Sequence, residues 1–142
     1  MTIIGRVEHV ILREAGMKLK ARIDTGAGLS SIHAKIIELC PAEGTTAERV
    51  IFEVHDRHER VRRLEREVVR WAGIKGKETP NRMRRPVVLL SFTLGDKVLS
   101  GYVNLADRGH FLYPVLIGRS ILKQGRFLID PRKKFVTRPH DG

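Results

Sequence analysis

Apolar and polar positions alternate with a period of two over much of this chain, which is the signature of half-buried strands. Ile3 to Leu12 is rich in β-branched and apolar residues, with Gly5 placed to form a bulge, and Gly16 marks a turn. Lys18-Leu19-Lys20-Ala21-Arg22-Ile23 alternates cleanly and predicts a strand running up to Asp24. Leu29 to Ile37 reads as a further strand, or as a strand entering a helical turn; Pro41 to Thr46 reads as a loop, and Val50 to Val54 as a short strand. Pro86–Leu94 and Lys97–Leu105 flank Gly95-Asp96 and predict a hairpin. Ile117 to Gln124 predicts one short helix. Arg126–Ile129 and Phe135–Arg138 predict closing strands on either side of Asp130-Pro131. Many short strands with a single helix give a mainly β fold, a small barrel or sandwich. At 142 residues, without an internal repeat or low-complexity linker, the chain reads as one domain, 1–142, long enough to bury a core.

The stretch from Arg57 to Arg85 breaks the pattern. It holds eleven Lys or Arg against four Glu, so it carries seven of the chain's +11 charges. Val61, Leu64, Val68 and Trp71 fit a helical spacing, and the same stretch reads equally as a long hairpin. It is either a solvated basic excursion or a positively charged wall over a cleft.

The net charge of +11 points to a polyanionic partner, nucleic acid or an acidic peptide. Cys40 is the only cysteine, which rules out an intrachain disulfide and a Cys-rich zinc site. No stretch has the length of a membrane span and the N-terminus lacks a leader pattern, so the expected location is the cytoplasm. No H-E-x-x-H occurs, and His55-Asp56-Arg57-His58, the one close histidine pair, is crowded by cations. Gly73-Ile74-Lys75-Gly76-Lys77 has the wrong spacing for a phosphate loop. No metal and no cofactor are therefore expected. Trp71 is the one aromatic of the basic stretch, which argues against RNA base stacking and makes a nucleic-acid partner the weaker reading.

The chemistry is carried by Ile23-Asp24-Thr25-Gly26-Ala27 and, far downstream, Leu116-Ile117-Gly118-Arg119. A carboxylate, a small hydroxyl and a glycine between apolar runs suit an exposed acid in a tight turn between buried strands. Together the two segments resemble the retropepsin-like aspartic peptidases. Ala21 to Ala34, Arg85 to Val88, Ala106 to Arg108 and Leu116 to Arg119 are similar to a bacterial, RimB-like branch, often labelled ATP-dependent zinc protease, a label the residues do not support. The resemblance implies a closed retropepsin-like β-barrel with one short C-terminal helix, completed as a homodimer.

Peptide hydrolysis of this kind needs two carboxylates sharing one proton around a water, and the chain has one D-T-G. Two copies must therefore meet across a two-fold axis, each giving Asp24, with titration belonging to the pair. The resemblance gives Asp24, Thr25 and Gly26 the catalytic turn, with Thr25 bracing the opposite loop. Ala27 cannot donate to the carboxylate as Ser or Thr would, which moves the expected activity toward neutral pH. Ala27, Arg119, Arg70 and Arg85 are the candidate substrate-binding residues. Where the retroviral pattern places an aspartate to pair with Arg119, this chain has Gly28, so Asp107 or Asp130 is the expected partner, the alternative being an Arg119 left free to meet an acidic substrate. Ser31 and His33 read as strand residues with satisfied hydrogen bonds. No Gly-rich flap tip is visible beyond Gly73 and Gly76. The function implied is a homodimeric peptidase for an acidic, glutamate-rich peptide or the oligoglutamate tail of a ribosomal protein. The branch is also associated with an ATP-grasp glutamate ligase. The alternative is a catalytically idle dimer that binds a ligase, the ribosome or RNA.

Overall fold

The computed structural model describes residues 1–73, 84–107 and 112–138. Lys75, Gly76, Lys77, Glu78, Arg82, Arg108 and His110 lie outside these residues. Eleven strands follow in chain order: β1 (Thr2–Leu12), β2 (Met17–Ile23), β3 (Ser30–His33), β4 (Lys35–Cys40), β5 (Arg49–His55), β6 (Val61–Glu67), β7 (Arg70–Ala72), β8 (Arg85–Leu94), β9 (Lys97–Ala106), β10 (Val115–Ile117) and β11 (Phe127–Lys134). Six of them close a barrel in the order β1-β2-β10-β3-β9-β8, and the ring is sealed where Ile11 and Leu12 of β1 pair with Thr93 and Phe92 of β8. β11 adds in parallel outside β1, and β7 adds outside β8.

Closure follows from parity. In β2, Met17, Leu19, Ala21 and Ile23 are buried while Lys18 and Arg22 face out and Lys20 is half-buried. The inward positions meet Val10, Leu12, Ile32, Leu90, Phe92, Val103, Leu105, Val115 and Ile117 in one core. Each such side chain, fully buried, stabilises the fold by about 1.5–3 kcal/mol. A separate sheet, β4-β5-β6, covers this barrel, and β5 presses Val50, Phe52 and Val54 into the same core at zero exposure. Among the described residues, Glu8 is the most deeply placed acid. Its carboxylate accepts from the Gly5, Val136 and Thr137 amides at 2.7, 3.0 and 3.0 Å and from the Thr137 hydroxyl at 2.9 Å, which ties the chain after β11 to β1.

Three expectations need correction, and one choice left open is settled. Leu29–Ile37 is two strands, because the chain leaves the barrel at Ala34 and β4 joins the second sheet. Of the two readings left open for the basic stretch, its described part takes the extended one and is not helical: β6 pairs with β5 in antiparallel register, Phe52 opposite Leu64, and β7 pairs with β8. Helix forms only over Arg119–Leu122, followed by a 3-10 turn at Lys123–Gly125, because Ile117 is held in β10. The chain end has one strand and not two. β11 runs straight through Asp130-Pro131, which an edge position allows, and it stops at Phe135, whose φ is +54°. The bulge at Gly5 is present as a register shift between Gly5 and Val7 against β11.

Candidate active site

Asp24 stands one residue past the end of β2. Its amide donates to the Ile117 carbonyl at 2.9 Å, extending the parallel β2–β10 ladder by one step. The chain then folds back on itself. The Gly26 amide donates to Asp24 Oδ1 at 2.9 Å and the Ala27 amide to the Asp24 carbonyl at 3.3 Å. This is a carboxylate satisfying its own turn, as short acidic side chains do. Asp24 and Ala27 are half-buried, and Thr25 and Gly26 are exposed.

The turn is stitched to the downstream motif. Ala27 and Gly28 carbonyls accept from the Arg119 and Ser120 amides at 2.7 and 3.3 Å. The Gly118 amide donates to the buried Ser30 hydroxyl at 2.9 Å. A Cβ on Gly118 would lie 2.7 Å from the Ala27 carbonyl oxygen, so only glycine lets the two segments touch. The pairing of D-T-G-A with I-G-R across 94 positions is thus a physical contact of two backbones.

Arg119 does not pair as expected. Its guanidinium Nη1 donates to the Thr25 carbonyl at 2.8 Å, and Asp130 is engaged by Arg132 instead, at 3.2 Å. Asp107 lies against His33, with 4.0 Å between carboxylate and imidazole. The cause is local: Gly28 stands where a carboxylate would reach Arg119, a Cβ there being 3.4 Å from Nη2. Without that acid the guanidinium turns to the backbone of the Asp24 turn.

The structure brings Asp24, Thr25, Gly26, Ala27 and Arg119 together. Arg70 and Arg85 stand instead on the β7–β8 pairing, where Arg70 is opposite Val87 and Arg85 opposite Ala72. Neither β7 nor β8 is hydrogen-bonded to β2, β3 or β10. Ser31 Oγ donates to Asn104 Oδ1 at 2.8 Å, a strand residue with its bond made. Ser30 escapes the sequence reading. Two adjacent serines follow the turn, both are buried, and only the fold decides which one meets the Gly118 amide. Trp71 packs against the core and donates to Glu48 at 2.9 Å, so its indole is committed to the fold. Among the described residues, no three His, Cys, Asp or Glu side chains converge to hold a metal ion. No described helix is long and apolar enough to cross a membrane.

Residues 3–140 match the family described as RimB-like, retropepsin-like aspartic endopeptidase RimB. The chain belongs to this family. The closed six-stranded barrel with one short helix is the RimB-like, retropepsin-like fold. A solved structure of the same build is Lpg0085 of Legionella pneumophila, a protein of unknown function. It is 34% identical with a TM-score of 0.80, over 96% of this chain and 98% of that one. Two curated relatives carry the name probable alpha-L-glutamate ligase. The one from Desulfotalea psychrophila is 36% identical over 91% of this chain, and the one from Parasynechococcus marenigrum 32% over 91%. The chain spans 28% of the length of each.

Proposed function

We propose that two copies of this chain meet across a two-fold axis and form an aspartic peptidase, with Asp24 from each activating one water. The observation that carries the reading is the Asp24 turn itself. One carboxylate oxygen is fixed by the Gly26 amide, and the half-buried side chain is presented at a loop whose Thr25 is exposed toward any partner. In the dimer, one carboxylate would take the water's proton while the other donated to the scissile carbonyl. Thr25 would brace the opposite loop. Arg119 would hold the Thr25 carbonyl so that the turn keeps its shape while substrate enters.

The substrate in this reading is acidic, a glutamate-rich peptide or an oligoglutamate tail on a ribosomal protein. The net charge of +11 supports this, because a dimer would carry twice that charge and steer polyanions inward. Proteins named as probable glutamate ligases contain a segment like this chain, which supports a working link to glutamate addition.

The test uses purified protein and its Asp24→Asn variant with two peptides, one ending in a glutamate run and one neutral. Products are read by mass spectrometry between about pH 4 and pH 8. Cleavage by the unaltered protein alone, favouring the acidic peptide and strongest toward neutral pH, is the expected result. Cleavage that persists in Asp24→Asn would remove Asp24 from the chemistry. Binding without cleavage by both proteins would leave a basic binding module.

A further inference from the structure

One cleft of the described surface lies away from the Asp24 turn and does not count Asp24 among its lining residues. It encloses about 540 Å³ and lies where β1, β2 and the β5–β6 turn come together. Four permanent cations line it: Lys18, Lys20, Arg57 and Arg60. Four of the chain's six histidines, His9, His33, His55 and His58, line it too. Among its described lining residues the one carboxylate is Asp56, whose side chain is 3% exposed and already accepts from Arg60 and from the His58 amide. Asp107 reaches His33 at the margin, 4.0 Å away. The volume is that of a ligand site. Its charge is the reverse of what a cation site needs.

The cations are arranged, not scattered. Lys20 stands directly opposite His9 in the β1–β2 ladder, and Lys18 opposite Ile11. The parity that turns Leu19 and Ala21 inward sets Lys18, Lys20 and Arg22 on one face of β2, and the same parity ends at Asp24. From Lys20 to Asp24 is four residues, about 14 Å of strand. An extended peptide covers that distance in about four residues of its own.

We propose that this cleft is an exosite for consecutive carboxylates of an acidic chain, and that Lys18, Lys20 and Arg22 form a track from it to the Asp24 turn. A chain held this way would be recognised by glutamates some four residues from the bond presented to Asp24. This deepens the peptidase reading and rests on it for what happens at Asp24, while occupancy of the cleft does not depend on cleavage.

The experiment measures binding by fluorescence polarisation, with labelled hexaglutamate as probe and Asp24→Asn protein as receptor. Lys18→Ala/Lys20→Ala is expected to weaken binding about five- to tenfold at low salt. Arg57→Ala, at an exposed side chain, is expected to weaken it in the same direction, and melting curves establish that both variants are folded. Lys123→Ala/Arg126→Ala removes the same charge elsewhere and is expected to change affinity less than twofold. Equal losses in the cleft and control variants would overturn the exosite, as would equal binding of hexaglutamine or no binding at all. So would a single-stranded RNA that binds more tightly and shows the same cleft dependence. Cleavage of the acidic peptide by the unaltered protein separates the two ideas. Cleavage with no cleft dependence sinks the exosite alone; cleft-dependent binding with no cleavage sinks the peptidase alone.

Discussion

Two aspartates in this chain follow a strand of alternating pattern and enter a tight turn, and their environments differ. Asp56, after β5, is saturated. Its carboxylate accepts from the His58 and Arg60 amides at 2.9 and 3.0 Å and from the Arg60 guanidinium at 2.8 Å. Burial pushes its carboxyl up, but those donors outweigh burial and hold it below the usual carboxylate range. Asp24, after β2, accepts one amide among the described residues, and its neighbours are held by backbone bonds that leave the carboxylate out. One acid holds a turn together. The other is held by a turn. That difference fits the proposed role of Asp24 and gives Asp56 a structural one, although both look alike in the sequence.

The sharpest break of this contrast is Asp24→Asn. It should abolish hydrolysis, by about a thousandfold or more, and leave the melting temperature almost unchanged, since an amide oxygen still accepts from Gly26. A large loss of stability would make Asp24 a second Asp56. Gly118→Ala attacks the turn from beneath. Its new Cβ would press on the Ala27 carbonyl, costing about 1–3 kcal/mol in denaturant unfolding and lowering activity while Asp24 is intact.

Asp56→Asn should do the opposite of Asp24→Asn, destabilising the β5–β6 turn with a smaller effect on cleavage of a neutral peptide. The pH dependence follows from the direction of the shift. A carboxyl held lower when folded than unfolded gives stability that is complete above the unfolded value and is lost as pH falls through the folded one. Thermal melts of the unaltered protein should therefore show an acid loss, below the usual carboxylate range, that is reduced in Asp56→Asn.

The contrast itself was not legible in the sequence, but much of the fold around it was, and the reason is periodicity. The β2 alternation and the β8–β9 hairpin follow short-range rules, and both fell where expected; the D-T-G and G-R segments were read from a family resemblance, and their backbones meet. What was not legible depended on partners distant in sequence. Arg119 finds the Thr25 carbonyl because Gly28 leaves the guanidinium without a nearby acid, a choice made only when the segments touch. The strand break at Ala34 is set by which sheet β4 joins, not by its residues. His55-Asp56-Arg57-His58 reads as a poor metal motif. Only the meeting of β1, β2 and the β5–β6 turn shows it as one wall of a basic cleft.

The smallest effect is a proton at His9, and it joins the two regions. Burial lowers the His9 titration point, and Lys18, Lys20 and Arg57 lower it further; Glu8 pulls the other way and loses. The ring also stacks on Phe135 at 4.4 Å. A histidine that titrates lower when folded takes its proton first in the unfolded chain. Its share of stability is complete above about pH 6.5 and declines as pH falls toward the folded value. A polycarboxylate in the cleft would reverse the field of the same three cations and raise the titration point. NMR titration of the His9 ring should therefore shift upward when hexaglutamate is added to Asp24→Asn protein, and should not shift in Lys18→Ala/Lys20→Ala if the chain no longer docks. If His9 titrates identically with and without the peptide while binding is intact, the acidic chain lies elsewhere, and the cleft and the Asp24 turn are unconnected.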